Sequence, residues 1–136
     1  MKKTFTLFFM LLLAFGLNAQ VMLTENFSSG TWPPAGWTVS GQNTNWRISQ
    51  TANAGGVSPE GRLNWSPQFN TLTRLISPAV NLSGQSKVVL RFKDKIDHYT
   101  SNFQIGVSTR ASSTGTWNNV WTQTVTGDTP AQERLI

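Results

Sequence analysis

The chain of 136 residues contains no cysteine, one histidine and six carboxylates. Without cysteine there is no disulfide and no thiol nucleophile, so an exported fold of this sequence rests on packing or on a bound ion. His98 and six acids are a thin set for acid–base or nucleophilic catalysis. The sequence also has no glycine-rich phosphate loop after a strand, no nucleophile elbow and no His/Cys metal spacing. No hydrolytic or redox centre is legible, and the chain does not read as an enzyme. His98 lies in "KDKIDHYTSN" and reads as a satisfied or solvent-facing turn residue. Asp94 and Asp97 in the same stretch read as turn acids that neutralise Lys93 and Lys95.

The first segment, "MKKTFTLFFMLLLAFGLNAQ", has Lys2 and Lys3, an apolar run from Phe5 to Leu17 and a small residue, Ala19, at a cleavage position. That is the layout of a secretory signal peptide, a helix over residues 1–19, and the apolar run is too short for a membrane anchor. Cleavage after Ala19 leaves a mature region of 20–136 without a membrane-spanning stretch, and the expected location is secreted or cell surface. Loss of Lys2 and Lys3 lowers the net charge from +5 and leaves nine basic side chains against six acids. The sequence pI near 10.3 therefore overstates any nucleic-acid partner, and none is expected.

The mature region is made of short β-rich runs between Gly, Pro, Asn and Ser clusters, with no sustained helical period. Candidate strands are "VMLTENF", "GWTVS", "NWRIS", "TRLIS", "KVVLRFK", "FQIGVSTR", "NVWTQTVT" and "ERLI". In "KVVLRFK", Val88, Leu90 and Phe92 share one face; in "FQIGVSTR", Phe103, Ile105 and Val107 do the same. Half-covered antiparallel strands of this kind predict an all-β sandwich. The segment "TANAGGVSPEGRLNWSPQFNT" has little periodicity and reads as a functional loop or one wrapped across a sheet. Lys87, Arg91, Lys93 and Lys95 share parity, a stripe that either keeps a sheet edge soluble or meets an acidic polysaccharide or lipid head group.

Six tryptophans are the other distinctive feature, since exposed rings stack on sugar faces while buried ones fill cores. Trp65 in the long segment, with Trp117 and Trp121 around "STGTWNNVWTQ", are the candidate ligand-binding residues, packing being the competing role for each. In "SSGTWPPAGWTVSGQNTNWRIS", Pro33 and Pro34 fix the backbone and Gly36 permits a tight turn. The stretch reads as a buckle in which Trp37 and Trp46 close the core, with Trp32 open between packing and ligand.

The order "TENFSSGTWPPAGWTV", "NWRIS", "TRLISPAVNLSGQSKVVLRFK", "FQIGVSTRASSTGTWNNVW" resembles the cleaved-adhesin, or choice-of-anchor J, domain of bacterial proteins exported by the type IX route. The resemblance covers nearly all of the mature region. It implies a jelly-roll β-sandwich of the concanavalin or MAM-like kind, used for cell adhesion or carbohydrate binding on larger exported proteins. The implied partners are a glycan or host surface polymer and neighbouring domains; the alternative is a structural spacer that displays or stabilises a neighbouring secreted enzyme such as a protease. The family's structural calcium implies Glu25, with Asn43 and Asn45 standing where the family carries aspartates. The final "TPAQERLI" stops inside what reads as a strand, which predicts an adhesion-type domain over 20–136 that lacks its closing strand.

Overall fold

The computed structural model describes residues 20–136, which are all-β with antiparallel pairing and contain no helix. The signal-peptide reading of residues 1–19 lies outside the described residues. Eight strands form: β1 (Thr38–Ser40), β2 (Trp46–Ser49), β3 (Glu60–Leu63), β4 (Arg74–Ile76), β5 (Arg91–Ile96), β6 (Phe103–Thr109), β7 (Asn118–Val125) and β8 (Thr129–Leu135). They pair as β1–β4, β2–β3, β5–β8 and β6–β7.

The β6–β7 hairpin follows the alternation in the sequence. Phe103, Ile105 and Val107 stand opposite Val125, Gln123 and Trp121, so six side chains share one face. The register then shifts between Val107 and Ser108, which leaves Val120 as the extra residue of a bulge. On the β5–β8 pair, Phe92 is opposite Arg134 and Asp94 opposite Gln132. A register shift follows Asp94, beside Pro130, which has no amide to offer the ladder.

These two faces pack on each other. Phe92 meets Trp121 edge-on with centroids 6.5 Å apart, and the Arg134 guanidinium lies 4.7 Å from the Trp121 ring centre. Arg134 also donates to Gln123 and to Asp94, each at 2.8 Å. The interior between the layers is therefore aromatic and polar, with Val125 the fully buried aliphatic side chain among the described residues. Asp94 belongs to this interior and pairs with Arg134, not with Lys93 or Lys95; Asp97 does pair with Lys95, at 2.6 Å. The strand runs through Asp94 to Ile96 because β8 supplies a ladder partner and an arginine for the carboxylate, neither of which is visible locally.

Three further elements differ from the sequence expectation. Residues 21–27 form no strand: the Glu25 carboxylate accepts from the Phe27 amide and Phe27 takes a φ of 60°. β3 arises inside the aperiodic segment because it pairs with β2, Trp46 opposite Leu63 and Ile48 opposite Gly61. β5 begins at Arg91, although Leu90 and Ile136 still exchange two 2.9 Å backbone hydrogen bonds. Val88 and Leu90, expected in the core, are about half exposed, at 52% and 45%.

The buckle is an aromatic stack. Trp32 lies between Phe27 and Trp46, with centroid separations of 6.0 and 5.8 Å, and the Trp46 indole donates to Thr73 Oγ1 at 2.6 Å. Gly61 sits beneath this stack, where a Cβ would come 3.0 Å from the Phe27 ring and 3.1 Å from that of Trp32. Pro34 is fully buried, the Trp37 amide donates to its carbonyl at 2.9 Å, and Gly36 turns the chain with a φ of 78°. The following loop crosses the outer face of β5–β8: Lys93 Nζ donates to the Gly55 carbonyl at 2.6 Å, and Gly55 approaches Ala131.

Candidate functional site

At one end of the packed layers, the β5–β6 connection (97–102) meets the β7–β8 turn (126–128). The His98 amide donates to Asp128 Oδ1 at 2.7 Å, which ties the two turns together. The His98 ring stacks on Phe103, with centroids 6.0 Å apart and planes within 10°, and its Nε2 is buried without a hydrogen-bond partner. The next residue, Tyr99, is left on the outside.

Trp65 arrives at the same place from the segment after β3. The chain there is held by Asn45, which is fully buried and donates its side-chain amide to the carbonyls of Asn64 at 2.9 Å and Pro67 at 2.8 Å. Asn64 returns a bond from its own amide to Asn45 O at 2.8 Å. Trp65 is thus clamped on both flanks while its ring projects outward and stacks on Tyr99, centroids 5.0 Å apart and planes within 13°. The two residues are 55% and 66% exposed.

Two large exposed rings in parallel contact are an unusual use of apolar surface, because each retains an outer face and edge open to water. Such a surface offers C–H···π and stacking contacts to a flat apolar ligand face. Asn64 and Ser66 flank Trp65 in the chain, while Asp97 and Asp128, near Tyr99, are already bonded to Lys95 and to the His98 amide. The arrangement is suited to holding a polyhydroxylated ring by its apolar side.

The other sequence-derived candidates lie elsewhere. Trp117, just ahead of β7, is half-buried, with the guanidinium carbons of Arg74 and Arg110 at 4.9 and 4.3 Å from its ring centre. It marks the opposite end of the β6–β7 hairpin from Trp65. Trp121 faces inward against Phe92 and Arg134. The structure therefore places the three tryptophans in three separate environments. Sequence reading missed Tyr99, the sole tyrosine, whose position in a polar turn was the available signal. Arg74 and Arg110 were also missed.

The residues implied for calcium have the following contacts. Glu25 turns its carboxylate to the Phe27 amide, Asn45 spends its amide on two carbonyls, and Asn43 is exposed. Calcium takes 6–8 oxygen ligands, Asn carbonyls among them; of this set Glu25 offers one carboxylate and Asn45 Oδ1 has only a 3.4 Å contact from the Thr44 hydroxyl. Among the described residues no group of three His, Cys, Asp or Glu side chains is placed to hold a metal. Asn43 instead borders a shallow groove of about 390 Å³ shared with Trp32, Pro33, Trp37, Thr38 and Val39.

No family model matches the chain, and no curated protein or solved structure matches it.

Proposed function

We propose that this chain is a secreted, non-catalytic adhesion or carbohydrate-binding module with a jelly-roll β-sandwich, part of a larger exported or cell-surface protein. The observation that carries the reading is the exposed Trp65–Tyr99 stack, clamped on both sides by buried Asn45. Pre-ordering the aromatic surface lowers the cost of ligand binding, and loops at the end of a β-sandwich are a common place for recognition. The resemblance to cleaved-adhesin domains points the same way.

The test is a glycan array probed with the full chain and with Trp65→Ala and Tyr99→Ala. The reading expects a neutral glycan that binds the wild type and loses at least tenfold affinity in both variants. An array without binders, or binders indifferent to both substitutions, would remove it.

The spacer reading draws on a different observation. Val88, Val89 and Leu90 are consecutive and exposed, and Leu135 opposite Arg91 is exposed as well, an apolar surface of the sort a neighbouring domain covers. Deleting the module would then lower the thermal stability of the attached enzyme, and an unchanged enzyme would end that alternative.

A further inference from the structure

The six carboxylates of the chain are all engaged away from Trp117. Glu133 pairs with Arg91, Asp97 with Lys95 and Asp94 with Arg134. Glu60 accepts from Thr51, Asn53 and Ala54, Asp128 from the His98 amide and Glu25 from the Phe27 amide. Arg74 and Arg110 consequently have no acid within ion-pair distance among the described residues. Both nevertheless stack on one indole, which holds the two cations no more than about 9 Å apart, a separation at which like charges repel.

The stripe Lys87, Arg91, Lys93 and Lys95 makes a contrast. Arg91, Lys93 and Lys95 each have an oxygen partner within the chain, at 3.4, 2.6 and 2.6 Å. Lys93 meets only a neutral carbonyl, and Arg47, Arg62 and Lys87 likewise have no acid within ion-pair distance among the described residues; what sets Arg74 and Arg110 apart is that both are held over one indole. A guanidinium held against an aromatic ring keeps its N–H donors available around its own plane, and the planar fork matches a carboxylate or sulfate in two-point fashion. None of the Arg74 or Arg110 nitrogens is buried without a partner, so these donors are not sealed from water.

We propose that Arg74, Trp117 and Arg110 form an oxyanion receptor for the carboxylate or sulfate-ester groups of an acidic polysaccharide. The three come from β4, the residue after β6 and the residue before β7, so the fold, not local sequence, assembles them. A lipid surface is a poorer fit: the hairpin tip beside the site, "ASSTGT", has neither a large apolar side chain to insert nor a further cation. The site lies at the far end of the β6–β7 hairpin from the Trp65–Tyr99 stack, roughly 20 Å away at about 3.3 Å per residue. It stands or falls independently of neutral-sugar binding there.

The experiment titrates the full chain with heparin, polygalacturonate and neutral dextran at low and high salt, with vesicles containing phosphatidylserine as a further arm. Wild type is expected to bind heparin or polygalacturonate, and the preferred polymer identifies sulfate or carboxylate as the group recognised. Arg74→Gln and Arg110→Gln are expected to weaken that binding at least tenfold each, while Arg91→Gln changes it less than twofold. Arg110→Lys keeps the charge but loses the fork, and is expected to fall with Arg110→Gln. Thermal melts of each variant separate lost binding from lost fold, and Trp117→Phe supplies a second variant that keeps an apolar ring. Equal binding by Arg110→Lys and wild type would overturn the receptor geometry. So would heparin and polygalacturonate binding that survives the Arg74→Gln/Arg110→Gln pair, or a preference for the vesicles over both polymers.

Discussion

Arg134 and Asp94 form an ion pair within the β5–β8 layer, on its face towards β6–β7, Nε to Oδ2 at 2.8 Å, with side chains only 13% and 16% exposed. Arg134 also covers the Trp121 ring and reaches Gln123, while Asp94 Oδ1 and Arg134 Nη2 remain buried without partners. A pair withdrawn from water to this degree destabilises strongly when one member is removed, because the other is left uncompensated. Arg134→Met and Asp94→Leu are each expected to lower unfolding free energy by about 3–5 kcal/mol. The double variant is expected to be less damaged than either single one. Denaturant unfolding of the four proteins forms the cycle, and additive losses would show that the pair does not couple.

Asn45 sits between the fold and the candidate site. Its amide holds the carbonyls of Asn64 and Pro67, on either side of Trp65. Asn45→Ala removes both hydrogen bonds, each worth about 0.5–1.5 kcal/mol net. The expected result is a stability loss of about 1–3 kcal/mol, together with a more solvent-exposed Trp65. Quenching of tryptophan fluorescence by iodide reports the second effect, with Trp65→Phe as the reference. Full stability with unchanged quenching would mean that the clamp is dispensable.

The sequence made β6 and β7 legible because their alternation is a local property. "FQIGVSTR" and "NVWTQTVT" carry the same side-chain parity as the hairpin they form. β3 was hidden because its strand character comes from β2 and its Gly61 answers to rings far away in sequence. Asp94 was misplaced for a related reason: "KDKID" has turn composition, and the residue that draws its carboxylate inward is Arg134. At the site, an aromatic ring in an aperiodic segment pointed to Trp65. Its partner Tyr99 was illegible, since the contact joins two connections that only the packed layers bring together.

Glu60 gives the fold a pH dependence. Partial burial pushes its carboxyl up, but donors from Thr51, Ala54 and Asn53 and the nearby Arg62 charge outweigh this and hold it below the ordinary value of 4.5. A carboxyl depressed in the folded state adds stability above its unfolded value, and that stability is lost as pH falls through the folded value. Wild type is expected to be more stable than Glu60→Gln at pH 7, with the gap closing below about pH 4.5. Thermal melts of both proteins from pH 7 to pH 3 measure the gap. Parallel curves over that range would show that the Thr51–Ala54 turn does not depend on the ionised carboxylate.

Gly61 tests the aromatic buckle, because two effects of opposite sign compete there. Replacing a strand glycine by alanine normally helps by about 0.5–1 kcal/mol, through the smaller backbone entropy lost on folding. Here the added Cβ meets Phe27 at 3.0 Å and Trp32 at 3.1 Å, in a stack already committed to Trp46 and, through its indole, to Thr73. Both rings have to shift to admit the methyl group, which disturbs the stack, and overpacking of this sort costs about 1–3 kcal/mol. The larger effect decides the sign: Gly61→Ala is expected to lower stability, and Gly61→Val to lower it further. Near-ultraviolet circular dichroism is expected to weaken as the stack opens, with the melting temperature falling in the same order. A Gly61→Ala protein that melts higher than wild type would mean that the entropy gain wins, and that Phe27 and Trp32 do not rest on β3 as tightly as the geometry requires.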